Sequence, residues 1–340
     1  MSVVVPCFDY AHFLPSAVMS VLDQTEVDVE VVIVDDASTD DSLAVATALA
    51  ERFSMVSVLA HTTNRGPVET FNDGLACARG EFLVRLDADD MLTPGSLERS
   101  ARVLRDRPGV GMVYGHPLHV SGDVCPAPST RIRDVTIWSD GEWLRDRCVD
   151  ALNVVTSPEV MMRMSLVNEV GGQMPLAHTH DMEMWFRLAA FADVAYIRGV
   201  DQAWHRDHPA SLSAREVDPM RDLSERRAAF DTLFSGPAGE VDGAAEMYAA
   251  ARNALARDAL QRARGAFDRR AVDLDLVDRC RRFAADVDPG IIGTTAWATV
   301  DARVRRGAGS AVRPSYVADR VARRLRSQAA WRRWHRDGVY

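Results

Sequence analysis

Phe82-Leu83-Val84-Arg85-Leu86-Asp87-Ala88-Asp89-Asp90 carries an apolar run straight into three carboxylates. The apolar residues read as a buried strand, and the acids that follow place at least two carboxylates at the edge where that strand ends. Hard oxygen donors in an open arrangement suit magnesium or manganese, which keep coordination positions for phosphate oxygens. The same residues also describe a solvated turn that caps a helix opening near Pro94. The flanking sequence separates the two readings.

Toward the N-terminus, short β-branched runs alternate with amphipathic ones, the signature of βαβ units around a parallel sheet. Strands are expected at Val3 to Val5, Glu30 to Val34, Met55 to Leu59 and Phe82 to Leu86, with helices at Leu14 to Leu22, Ser42 to Phe53 and Val68 to Ala78. A further helix is expected from Pro94, suited to a first turn, to Asp106, with Pro108-Gly109 stopping it. Open α/β sheets bind ligands beyond the carboxyl ends of their strands. The polar clusters fall there in turn: Pro6-Cys7-Phe8-Asp9, Asp35-Asp36-Ala37-Ser38, Asn64-Arg65-Gly66 and the Asp87 to Asp90 turn. Asp35 and Asp36 stay ambiguous on their own. One can cap the following helix, while a carboxylate can also accept the imino hydrogen of a uracil or thymine ring.

The 340 residues suffice for one large α/β domain and an appendage, and 47% hydrophobic with 26% charged residues is ordinary for a soluble globular chain. Five scattered cysteines without a CxxC pair organise no zinc and fit a reduced, cytoplasmic setting. The start lacks the basic and apolar regions of a secretory signal, and no run reaches membrane-spanning length. A net charge of -9 argues against nucleic acid as a partner. All 40 basic residues are arginine, and eleven of them lie between Asp301 and Tyr340 against three aspartates, which makes the tail a distinct basic region.

Past Val110 the pattern loosens: one strand is expected at Val110 to Tyr114, then a Pro-rich turn at Cys125 to Pro128 and a loop-rich face for an acceptor. Gly171-Gly172 precedes a helix around Asp181 to Ala190, and apolar Val194 to Val200 leads into Trp204-His205-Arg206-Asp207-His208. From about Asp218 onward the chain turns Ala- and Arg-rich and helical, broken at Gly236-Pro237, Pro289-Gly290 and Gly307 to Gly309. Tyr316 to Arg336 reads as a basic amphipathic helix with Val317, Val321, Leu325, Trp331 and Trp334. It could rest on an anionic membrane surface at the inner face, or pack on the same chain or in a homodimer.

Val3 to Asp9, Val34 to Asp40, Asn64-Arg65-Gly66, Asn72 with Ala78 to Phe82, and Leu86 to Asp90, in this order and spacing, resemble the family-2 glycosyltransferases of the GT-A fold. Gly171-Gly172 with His178 to Leu188, and the Trp204 to His208 segment, extend the resemblance over about two thirds of the chain. It implies a Rossmann-like, mostly parallel sheet flanked by helices, a catalytic domain over 1–217 with a nucleotide-sugar half (1–110) and an acceptor half (111–217), and a helical region over 218–340. It further implies a nucleotide diphosphate sugar as donor, a UDP-sugar favoured, a hydroxyl acceptor and a divalent cation.

The implied roles are Pro6, Phe8 and Asp36 around the base, Asp87 near the ribose with Asn64 and Ala88 in the donor site, and Asp89 as principal metal ligand, joined by Asp90. Asp181 takes the place of the general base, His208 reaches the metal or diphosphate, and Arg206 pairs with phosphate. His180 stands where the family often has glutamate, and Phe8 where tyrosine is common. A base is needed because a hydroxyl is a poor nucleophile, and direct displacement inverts the anomeric centre. Glu183 is the rival carboxylate, and Trp185 and Phe186 read as packing residues. A non-catalytic sugar-nucleotide-binding or assembly protein is the other reading; a nucleotidyltransferase would need a Gly-rich basic loop after the first strand, and Pro6 to Asp9 supplies none.

Overall fold

The computed structural model describes residues 1–122, 124–208, 218–268, 272–307 and 314–337. The expected junction near 217, the break just after Gly307 and the side chains of Trp334 and Arg336 lie outside the described residues. The chain divides into two compact units, one of Met1–Leu144 with Asn153–Arg215, the other of Arg145–Leu152 with Glu216–Tyr340.

In the first unit β1 (Ser2–Cys7), β2 (Glu30–Asp35), β3 (Val56–Ala60) and β4 (Phe82–Arg85) alternate with α1 (Leu14–Leu22), α2 (Ser42–Arg52) and α3 (Pro67–Cys77). They pair in the parallel order β3-β2-β1-β4, so all four strands deliver their following loops to one edge. The near-continuous burial of Val3, Val4, Val5, Val31, Val32, Ile33 and Val34 is what a sheet covered on both faces demands. After the short β5 (Met91–Leu92), α4 spans Ser96–Asp106. It starts two residues later than Pro94 predicts, because Gly95 at its N-cap takes φ +73°, a left-handed conformation that breaks the helix.

The second half of the sheet is mixed. β8 (Met161–Arg163) runs antiparallel to β4 and to β6 (Val110–Val120), and β9 (Asp193–Arg206) lies parallel to β6 while pairing antiparallel with β5 and with β7 (Thr130–Trp138). The loop-rich face expected past Val110 is therefore largely strand. β6 continues through Gly115 and Pro117 because the ladder shifts register between Tyr114 and His116 and again before Pro117, the irregularities that let a strand tolerate a residue without an N–H. α6 (Met164–Val170) and α7 (His180–Phe191) complete the unit, and the residues of α5 (Glu142–Asp150) are divided between the two units after Leu144.

The second unit holds α8 (Pro219–Ser235), α9 (Ala244–Ala266), α10 (Leu274–Val287), α11 (Thr295–Arg306) and α12 (Pro314–Asp337). Asp218, Asp273 and Thr294 cap α8, α10 and α11 by accepting a backbone N–H from the first turn. Buried alanines along α9, among them Ala251, Ala259 and Ala263, leave room for its neighbours to approach closely. α12 is tied down near its start: Asp319 pairs with Arg264 and Arg303, and Arg323 with Asp268. Farther along, Val321, Leu325 and Trp331 are exposed. No helix among the described residues is long and apolar enough to cross a membrane.

Candidate functional site

The loops after β1 and β2 are stitched together. Asp9, at φ +58°, accepts the Thr39 N–H at 2.6 Å, and the N–H groups of Asp9, Tyr10 and Ala11 donate to Ser38, Ser42 and Asp40. Ala37, at φ +56°, holds a conformation that costs a non-glycine residue. Phe8 follows β1 with 42% of its surface exposed, a ring open to stacking, while Pro6 is half-buried in the strand.

Asp36 is buried and heavily used. Its Oδ1 meets His61 Nδ1 at 2.8 Å and the Arg65 N–H at 2.7 Å, and its Oδ2 accepts the Gly66 N–H at 2.8 Å. Asn64 donates to the Asp36 carbonyl at 3.2 Å. Burial alone would raise this carboxyl, but the bonds from His61, Arg65 and Gly66 outweigh it and hold it below the usual range. Asp36 therefore anchors the Asn64 to Gly66 loop. For Asp35, Oδ2 accepts from Ser38 and Oδ1 is buried without a partner.

In the Asp87 to Asp90 turn four adjacent residues meet four different fates. Asp87 pairs with Arg85 at 2.9 Å and keeps a third of its side chain exposed. Ala88 is fully buried in the core, so a donor contact at this position can involve only its backbone. Asp89 Oδ2 lies 2.8 Å from His208 Nε2, a contact across 119 residues of chain. Burial and then the charge of Asp87 push the Asp89 carboxyl upward. The His208 ring is held by Tyr10 and Phe13 at centroid distances of 5.7 and 5.4 Å.

Asp90 turns elsewhere: Oδ1 accepts the Arg206 N–H at 2.8 Å and Oδ2 meets His205 Nδ1 at 3.1 Å, fastening the end of β9 to the turn. Its complete burial raises its pKa to about 7. This set of partners argues against the ligand role that the resemblance implies for it. Arg206 departs in the same way. Its guanidinium donates to the carbonyls of Asp89 and Gly122 and sits 4.6 Å above the Phe13 ring, so it braces backbone where the sequence suggests phosphate.

Asp181 opens α7. The helix buries nearly every residue from Met182 to Ala189, Trp185 and Phe186 included, while Asp181 stays half-exposed at its positive end. Ser157 donates to its Oδ2 at 3.4 Å from a φ of +109°, an observed backbone outlier for a side chain of this kind. Glu183 is closed off: both oxygens receive Arg187 nitrogens at 2.9 Å, with the two side chains at 1% and 3% exposure. Arg187 also holds the carbonyls of Gly171 and Gly172. Asn72 exchanges two bonds with Gln173, and a Cβ on Gly172 would lie 2.3 Å from its Oδ1. Only glycine permits that approach. The motif residues Asn72, Gly171 and Gly172 thus position the loop that leads into Asp181.

His180, buried beside Asp181, has its pKa lowered by burial and then by the Arg85 cation, and it also feels the charges of Asp181 and Asp87. Its Nδ1 and the Arg85 Nη1 are buried without partners. Arg85 and Ser157 are not among the residues that the sequence motifs single out. An arginine in a buried strand was a signal for the first; nothing local marked the second.

The parallel strands β3-β2-β1-β4, the mixed strands beside them and the flanking helices form the GT-A fold of the solved structures below, with the acidic turn at the strand ends. Residues 2–164 match the family described as Glycosyl transferase family 2. An uncharacterized glycosyltransferase of Nostoc sp. is 40% identical over 114 residues, 34% of this chain and 35% of that protein, so the chain matches about a third of that relative. Among solved structures, S. aureus TarS residues 1–349 in complex with UDP-GlcNAc superposes with a TM-score of 0.60 at 18% identity, covering 90% of this chain and 91% of that one. The mannosyltransferase PcManGT of Pyrobaculum calidifontis, in complex with GDP-Man and Mn2+, gives 0.54 at 17% identity over 93% and 81%.

Proposed function

We propose that this chain transfers a sugar from a nucleotide diphosphate sugar, a UDP-sugar favoured, to an acceptor hydroxyl with inversion. The observation that carries the proposal is the pair Asp89 and His208, brought to 2.8 Å at the carboxyl edge of the parallel strands. A buried carboxylate whose charge is disfavoured by its surroundings, facing one imidazole, is a donor set that fits manganese better than magnesium, with phosphate oxygens supplying further positions. When bound, such a cation offsets the charge of the departing diphosphate. The donor names carried by TarS and PcManGT agree with a sugar nucleotide here, and the TarS complexes with UDP and UDP-GlcNAc favour uridine.

Around that pair the chain's own groups divide the work. Phe8 offers a face to the base, Asp36 fixes the Asn64 to Gly66 loop beside it, and Asp87 lies toward the ribose with its charge held by Arg85. Asp181 accepts the proton of the acceptor hydroxyl, which makes the oxygen nucleophilic as it attacks the anomeric carbon. Ser157 aims it, and Glu183, 1% exposed and paired with Arg187, is shut away from an acceptor. A non-catalytic donor-binding role would leave the exposure of Asp181 without a purpose.

The test is a panel of UDP, dTDP and GDP sugars with manganese, read by mass. Slow donor hydrolysis or transfer that stops on chelation is the expected result. No turnover of any donor despite tight nucleotide binding would favour the binding-protein reading.

We also propose that the exposed Val321, Leu325 and Trp331 and the arginines of α12 touch an anionic membrane surface. Liposome flotation with and without the residues after Gly309 checks it, and equal flotation of both forms would remove it.

A further inference from the structure

The Trp204 to His208 segment presents two sides. Arg206 and His208 face Asp89 and the ring of Phe13, whereas His205 and Asp207 meet His119. The pairing register explains this meeting: His119 lies opposite His205 in the β6–β9 ladder, and the Asp207 N–H continues that ladder to the Val120 carbonyl. The two rings stand 5.1 Å apart at 78°, and His119 Nδ1 is 3.2 Å from Asp207 Oδ2. One ligand atom from each of the three residues lies within 4.8 Å of the others, the one such His, Cys, Asp or Glu trio among the described residues.

We propose that His119, His205 and Asp207 bind a borderline first-row dication of the zinc class, at a site separate from the Asp89–His208 pair. Two imidazoles and a carboxylate favour such an ion over magnesium or calcium, which prefer all-oxygen sets. Bonds of about 2.0–2.1 Å need ligand atoms roughly 3.4 Å apart in a tetrahedron, within reach of small rotations of His119 and Asp207, both exposed.

The second, independent observation is Asp90. Its Oδ2 receives His205 Nδ1 at 3.1 Å, and its Oδ1 is fixed by the Arg206 N–H. A metal-binding histidine characteristically carries this kind of carboxylate on its other nitrogen, which sets the tautomer and leaves Nε2 for the ion. Asp90 is thereby a positioning residue for His205. An ion held here would clamp the ends of β6 and β9 beside the donor turn.

The measurement uses the full chain carrying Asp89→Ala, so that binding at the donor pair does not contribute. After metal stripping, zinc is titrated by calorimetry, and cobalt(II) is added separately to read visible ligand-field bands. One zinc equivalent is expected, with a thermal upshift that follows from binding the folded state. Adding His119→Ala or Asp207→Asn should weaken binding about tenfold or more and abolish the cobalt bands. Asp90→Asn should weaken it by about 10–100-fold, the usual cost of losing such a support. No zinc binding by the Asp89→Ala protein, or unchanged affinity and spectrum after adding both His119→Ala and Asp207→Asn, would overturn the proposal.

Discussion

Asp89 with Asp90 after β4, and Asp181 with Glu183 in the first turn of α7, are two pairs of acids close in sequence, and in each pair the fold commits one to structure. Asp90 is closed by His205 and the Arg206 N–H, and Glu183 by both nitrogens of Arg187. Their neighbours remain available: Asp89 faces His208, and Asp181 lies half-exposed under Ser157. The difference between an acid closed into the scaffold and one proposed to meet a ligand is made by partners over 100 residues away in one case and four residues away in the other. The committed acid in each pair also places the available one, since Asp90 fixes the strand end that leads to His208 and Glu183 orients the Arg187 clamp on the loop before Asp181.

The largest effect on this comparison should come from Asp181→Asn. We expect transfer to fall about 10²–10⁴-fold, the usual worth of a general base, with donor affinity unchanged by calorimetry. Near-normal transfer would move the base elsewhere. Glu183→Gln should behave in the opposite way, destabilising the fold by about 3 kcal/mol in urea because Arg187 is left buried without its counter-charge. A stable Glu183→Gln protein with lost transfer would break the distinction between the two carboxylates.

Asp36 supplies a pH test of the donor loop. Its folded-state pKa lies below the ordinary value, so its contribution is full above that value and disappears as pH falls through the lowered one. Hydrogen exchange at the Arg65 and Gly66 amides should accelerate selectively over that acid window. Ser157→Ala is the mildest change: about tenfold or less in transfer, with donor binding unaffected, because one long hydrogen bond is removed.

The first four strands and their helices were legible in the sequence because their signals are local. α1 occupies Leu14–Leu22 as the apolar spacing predicts, and each expected strand through Phe82 forms to within a residue or two at either end. The second half was not, since β6 crosses Gly115 and Pro117 and β7 is an exposed edge with an arginine-rich pattern. For the candidate site, position along the chain placed the acidic turn at a strand end but not the partners of each acid. Asp89 and Asp90 are adjacent and chemically identical, and only the register of β9 decides which of them meets His208 and which meets His205. Arg206 shows the same limit: a guanidinium beside a donor turn suggests phosphate until Phe13 and two carbonyls are seen around it.

The most direct test of the donor assignment is calorimetric titration of UDP, with and without manganese, into the wild type, Asp89→Ala and Asp181→Asn. Manganese-dependent binding should vanish in Asp89→Ala and persist in Asp181→Asn. Wild-type affinity in Asp89→Ala would contradict the account.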